Sequence, residues 1–236
     1  MAVAASVCSF DWRSGLGVLR SDLNWFTPEA RARNYARLSQ LTGQSSQMQA
    51  SIGAAALLAG EKQVGNRFLH DYLARIPRQV IAIASSFVQQ MPPDVSPVEV
   101  VRELQLILPD SLLSRAEVAE DFSRKPGLEP ISEQLASSIN LEDLVAQAEQ
   151  QSKEQRNSKP WLLVAWLAND RLDSDTQIQA LKNATAAEPM NHMRLFELAE
   201  LLSKEGREAE AIQQAQKALS RSPGTERYKD FLNQKH

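Results

Sequence analysis

Residues 192–223, HMRLFELAELLSKEGREAEAIQQAQKALSRSP, contain two amphipathic helical segments joined by a polar turn at 204–207. The apolar side chains of the first segment recur at helical spacing, at Leu195, Leu198, Ala199 and Leu202. Those of the second segment do the same, at Ala211, Ile212, Ala215, Ala218 and Leu219. Pro223 stops the second helix because proline lacks the amide that would continue it. The stretch predicts a hairpin of two antiparallel helices with small alanines at the crossing.

The preceding stretch 158–189, SKPWLLVAWLANDRLDSDTQIQALKNATAAEP, has the same organisation. Pro189 precedes Pro223 by 34 residues. The other matching positions hold a large aromatic, a small contact residue and three residues of the second helix, namely Trp161, Ala165, Ile178, Leu181 and Ala184. Gln177 departs from the pattern, since a small residue is expected there. Its neighbour Ala180 suggests that the turn is one residue out of register.

This pattern resembles the tetratricopeptide repeat, whose unit is two antiparallel helices in about 34 residues. A weaker match covers 46–77, with Ile52-Gly53 as the hydrophobic-small pair, Gly60 at the turn, Gly65 and Leu69 on the second helix, and Pro77 at the end. Tyr72 stands there where alanine is usual. The resemblance implies an all-α fold of helix pairs stacked as a right-handed superhelix, an α-solenoid. A generic antiparallel helical bundle is the alternative.

The rest of the chain is also predicted to be helical, because no segment alternates with a period of two. Ser96 with Glu99 forms a capping box, and Asn140 with Asp143 starts another helix. Further helix boundaries are predicted at Thr27, Pro28, Gly43 and Gly60. Tyr228, Phe231 and Leu232 lie at i, i+3 and i+4, which predicts a helix that caps the last hairpin.

The expected domain organisation follows from a single break in the helical periodicity. The stretch SRKPGLEP at 123–130 contains two prolines and a glycine. We therefore expect a helical N-terminal part with degenerate hairpins at 1–122, a kink or linker at 123–139, and a repeat part with its capping helix at 140–236.

Composition limits the classes of partner. The formal net charge is −3, and the arginines at 31, 33 and 37 are more typical of a solvated face than of a nucleic-acid site. Cys8 is the single cysteine, so an internal disulfide is excluded. The apolar start, Met1–Phe10, is too short to span a membrane and has no basic leader. A cytoplasmic location is expected, with a periplasmic protein or the trimmed stub of a membrane-tethered parent as the alternative.

Signs of catalysis are sparse. His70, His192 and His236 have no partner at metal-ligand spacing, and Gly15-Leu16-Gly17 lacks the third glycine of a dinucleotide loop. Glu197 and Glu200 share a helix face but are typical of solvated surface. The sequence therefore predicts a protein that is not an enzyme and needs no cofactor, metal or small-molecule substrate.

The expected function is protein–protein interaction or scaffolding, since stacked repeats present a concave surface to a peptide or helix. The residues expected to line that groove lie on the two first helices, at Leu162, Leu163, Trp166, Asn169, Met193, Phe196, Glu197 and Glu200. Lys159 is the one basic residue there, so the groove is expected to take an amphipathic helix or a basic-apolar segment, from a partner or from the N-terminal half. The competing interpretation is that Trp161 to Trp166 are core.

Two other functions stay open at this point. One is a helical appendage of a larger, envelope-associated assembly that docks on other subunits or on itself, and a homo-oligomer is compatible with the sequence. The other is an enzyme that uses the N-terminal 120 residues.

Overall fold

The computed structural model describes residues 53, 56, 62–89, 91, 93–155 and 157–235. Helix accounts for 79% of them, in eleven α-helices, and these residues form no strand. Within the same residues, none of the helices is long and apolar enough to cross a membrane. The all-α prediction is confirmed. The predictions at Cys8, at Gly15 and Gly17, at the three arginines and at the helix boundaries before Gly53 lie outside the described residues, as do Gly60 and His236.

The chain divides by packing into two units, Met1–Asp110 and Ser111–His236. The described helices of the first unit are α1 (Lys62–Arg75), α2 (Val80–Gln89) and α3 (Pro97–Ile107), with a short 3-10 helix at Pro77–Gln79. Helix α3 begins as predicted: the Ser96 hydroxyl accepts a hydrogen bond from the Glu99 amide, and the Glu99 carboxylate accepts one from the Ser96 amide.

The first unit also contains the close helix approach that the weaker repeat predicts. A β-carbon added to the buried Gly53 would lie 2.8 Å from Cγ of Leu69 and 3.1 Å from the carbonyl oxygen of Gly65. Real β-carbons do not approach that closely, so only glycine fits at this crossing. Tyr72, at the position where alanine is usual, is buried.

The second unit contains eight helices. In chain order they are α4 (Leu112–Ser123), α5 (Glu129–Ser137), α6 (Leu141–Gln155), α7 (Lys159–Asp170), α8 (Ser174–Ala187), α9 (His192–Lys204), α10 (Glu208–Arg221) and α11 (Glu226–Asn233). The tightest pairs are α9 with α10 and α7 with α8, and each pair packs on the next through α8 and α9. Consecutive packing of helix pairs is the arrangement of an α-solenoid.

The segment 123–139 holds the turn and the second helix of a hairpin. Helix α5 packs on α4, and the buried Ser132 hydroxyl donates to the carbonyl of Ala119 at 2.7 Å. Gly127, in the turn, has a φ of +84°, which is the left-handed region that favours glycine. The break between the two units falls at Asp110 and Ser111 instead.

The turns of the two C-terminal hairpins repeat with a spacing of 34 residues. The amide of Asp173 donates to the carbonyl of Ala168 at 2.9 Å, and that of Arg207 donates to Leu202 at 2.8 Å. Leu172 and Gly206, the residues just before, both have positive φ, at 57° and 75°. These bonds close a Schellman turn at the end of each first helix.

The register that follows each turn is also the same. The Gln177 amide donates to Asp173 and the Ala211 amide donates to Arg207, both at 3.0 Å. Gln177 therefore corresponds to Ala211, and the expected slip of one residue does not occur. The predicted contact alanines Ala184 and Ala218 are fully buried.

Candidate functional site

The residues predicted to line the concave groove divide by exposure. Asn169 and Met193 are exposed, the latter by 60%. Leu162 and Trp166 on α7, and Glu197 and Glu200 on α9, are half-buried. Leu163 and Phe196 are each only 3% exposed, which places them in the core. That Leu162, Trp166, Asn169 and Met193 bind a partner stays a prediction.

Helix α7 presents a strip of three of these residues. Leu162, Trp166 and Asn169 lie at i, i+4 and i+7, which is one side of an α-helix. We call these three residues the α7 strip. With the spacing of 34 residues, Leu162 corresponds to Phe196 and Trp166 corresponds to Glu200, and we call Phe196 and Glu200 the α9 strip.

The α9 strip is covered by the C-terminal helix. The ring of Phe196 lies 4.4 Å from the ring of Tyr228 and 5.4 Å from that of Phe231, between centroids. The guanidinium of Arg227 lies over the Phe196 ring at 5.1 Å and bonds the Glu200 carboxylate at 2.5 Å. The predicted capping helix therefore exists as α11, and it is what buries Phe196.

Tyr228 anchors α11 at the other end of this contact. Its hydroxyl lies 2.8 Å from Nδ1 of His192, the first residue of α9. Burial raises the pKa of Tyr228 above the ordinary value for a phenol. The predicted lone histidine thus holds a helix cap.

The charges on this side of the first helices are paired within the chain. Lys159, the one basic residue expected in the groove, bonds Glu117 of α4. Glu197 pairs with Arg194 at 2.6 Å. The carboxylates that were expected to edge the groove therefore already have cationic partners.

A second concave feature lies elsewhere in the same unit. It is a cleft of about 830 Å³ between α6 and α8. Trp161 and Val164 of α7 lie at its floor, and both are buried. The side chains of its two walls are mostly small or apolar, and they include Val145, Ser152, Thr176, Ala180, Asn183 and Ala187. Glu149 and Lys153, paired at 2.9 Å, line the α6 side.

The comparison of α8 with α10 explains why the cleft is open. Where α8 has Thr176, Ala180, Asn183 and Ala187, α10 has Glu210, Gln214, Lys217 and Arg221 at 34 residues further on. In addition, Glu210 reaches across to α8 and bonds Lys182 at 3.0 Å. Both Lys182 and Arg207 lower the pKa of Glu210. Long charged side chains thus occupy the later position, whereas short ones leave the earlier position empty.

One end of the cleft is held by a polar cluster. The buried Ser158 hydroxyl donates to the Glu188 carboxylate at 2.6 Å, and the Asn191 amide group donates to the other oxygen at 3.1 Å. These hydrogen bonds, that of Ser158 first, lower the pKa of Glu188. The cluster fixes the start of α7 to the turn after α8, next to Pro189 of the cleft.

Sequence reasoning missed the cleft. Ala180 had been interpreted as a sign of a register slip, whereas it forms part of the cleft wall. The available signal was the contrast in side-chain length between α8 and α10 at matched positions. Among the residues that the structure describes, no group of three His, Cys, Asp or Glu is placed to hold a metal ion.

The comparisons with known proteins add little. No protein-family model matches the sequence, and no curated protein matches it. Among solved structures, the chain is similar to a chain of the "APC/C hetero-tetramer Cut9-Hcn1" crystal structure, at 13% identity and a TM-score of 0.36. The match covers 88% of this chain and 46% of that chain. Because the TM-score is low, the fold assignment depends on the helices and turns described above.

Proposed function

We propose that the protein is a helical interaction module that binds an amphipathic, basic-apolar helix of a partner protein on the α7 strip. The observation that supports this most is the contrast between the two strips. The α9 strip is covered by the chain's own α11, while the matched α7 strip keeps Leu162 and Trp166 half-exposed.

Helix α11 indicates what chemistry such a strip accepts. It contributes two aromatic rings to Phe196 and a guanidinium that contacts both the ring and the neighbouring carboxylate. Aromatic stacking and cation–π contacts each add roughly 0.5 to 1.5 kcal/mol to the burial of apolar area. On the α7 strip, Trp166 offers the ring face that suits an arginine or lysine best.

Exposed methionine supports the same proposal. Met193 is 60% exposed at the first turn of α9. Its flexible thioether adapts to different apolar partners. Together with Trp166 it would supply the apolar anchors that contribute most of the binding energy at protein interfaces.

The test compares partner capture by the full-length chain and by Trp166→Ala. The proposal predicts that proteins retained by the wild type are lost with Trp166→Ala, while the melting temperature stays unchanged. Gln216→Ala, an exposed position on α10, is the matched control and should retain them. If Trp166→Ala lowers the melting temperature and still captures the same proteins, Trp166 is core and the proposal fails.

A further inference from the structure

We propose that the cleft between α6 and α8 is a second docking site, which takes an amphipathic helix with apolar side chains facing Trp161 and Lys or Arg side chains at its flanks. This inference concerns a different side of α7. At 100° per residue, Trp161 and Val164 point well away from Leu162, Trp166 and Asn169.

The size of the cleft is the first argument. Its volume of about 830 Å³ lies within the 300–1,000 Å³ that is typical of ligand sites. A trough between two helices, with an apolar floor and polar rims, is the shape that accepts the apolar face of a third helix. The hydrogen bond between Gln179 and Asn183, at 3.2 Å, keeps one rim polar.

The second argument is that the open cleft is specific to this pair of helices. At the matched position between α8 and α10, the Lys182–Glu210 ion pair bridges the two helices. With the spacing of 34 residues, these two residues correspond to Ala148 and Thr176, which are too short to bridge. The chain therefore fills one such position with its own side chains and leaves the other open.

The third argument is charge. Helix α6 and the first turn of α8 carry one cation, Lys153, and five carboxylates, at Glu142, Asp143, Glu149, Glu154 and Asp175. An occupant with Lys or Arg on both sides of its apolar stripe would complement this excess, and electrostatic complementarity of that kind selects partners. An acidic helix would be repelled.

The test uses ¹⁹F NMR of the full chain labelled with 5-fluorotryptophan, because Trp161 lies in the cleft and Trp166 lies on the α7 strip. The four tryptophan signals are assigned with Trp→Phe variants. The probe is a peptide of Leu and Lys with leucines at helical spacing, of about 14 residues, which matches the length of α8. The control peptide has Glu in place of Lys.

We expect the Lys peptide to shift the Trp161 signal in a saturable way and the Glu peptide to leave it unchanged. Ala187→Gln places a longer side chain in the cleft and should weaken binding at least about tenfold. Ala209→Gln, the same change at an exposed position of α10, should bind as the wild type does. Glu149→Lys, on the exposed rim, should also weaken binding.

Three outcomes overturn the proposal. The Trp161 signal stays unmoved, or Ala187→Gln and Glu149→Lys both bind as tightly as the wild type, or the Trp161 signal shifts with protein concentration alone, which assigns the cleft to a second copy of the chain. A shift of Trp166 without Trp161 rejects the cleft and supports the α7 strip. A shift of Trp161 without Trp166 supports the cleft independently of the proposed function.

Discussion

The hairpins α7–α8 and α9–α10 have the same backbone turns but different surroundings. Both end their first helix in a Schellman turn and begin their second in the same register. The later hairpin is covered by α11 on one side and bridged by Glu210 on the other. The earlier one keeps a half-exposed strip and an open cleft. Repetition thus fixes the backbone, while individual side chains decide which surface remains available.

The largest expected effect concerns the covered strip. Phe196→Ala should cost about 3 to 5 kcal/mol of unfolding free energy, since it removes a buried ring and leaves a cavity under α11. Leu162→Ala at the matched, half-exposed position should cost about 1 kcal/mol. Urea unfolding measures both. Equal losses would mean that the two strips are equally buried.

Overpacking at the helix crossings should affect the two hairpins alike. Ala218→Trp and Ala184→Trp each force a large side chain into a fully buried alanine position, at a cost of at least about 1 to 3 kcal/mol. Ala209→Trp, at an exposed position on α10, is the control. A melting experiment that shows no loss for Ala218→Trp would contradict the assigned crossing.

The two turns should respond in opposite directions to the exchange of leucine and glycine. Leu172 is 90% exposed and has positive φ, a conformation that costs a residue with a side chain about 1 to 2 kcal/mol. Leu172→Gly should therefore stabilise the protein by about 1 kcal/mol. Gly206→Leu should destabilise it by about 1 to 2 kcal/mol. Chemical denaturation distinguishes the signs, and a loss for both would show that Leu172 makes contacts that offset its strain.

A smaller effect is expected from pH. The folded pKa of Glu188 is lowered by Ser158 and Asn191, so its stabilisation is present above the unfolded pKa of about 4.3 and is lost as pH falls through the folded pKa. Glu188→Gln should destabilise the chain at neutral pH by at most about 1 kcal/mol, because solvent screens a partly exposed group. The difference from the wild type should vanish in acid. The later hairpin has Ser222 at this place and provides no such term.

The sequence predicts the repeat because prolines, alanines and the turn recur at fixed spacing. It also predicts α11 from Tyr228, Phe231 and Leu232. The burial of Phe196 was not predictable, because it depends on how closely α11 approaches α9. Likewise, the cleft depends on the distance between α6 and α8, which are separated by a whole helix in the chain. Local pattern fixes the hairpins, whereas non-local packing decides which of their faces stay open.

The most direct test of the difference between the two hairpins measures thiol reactivity at one matched pair of positions. In a Cys8→Ser background, Leu162→Cys and Phe196→Cys place a single thiol at the same point of each first helix, and a maleimide reagent reports its exposure. We predict that the thiol at position 162 reacts quickly and that the thiol at position 196 is protected by α11. Equal rates, or faster reaction at position 196, would contradict the account.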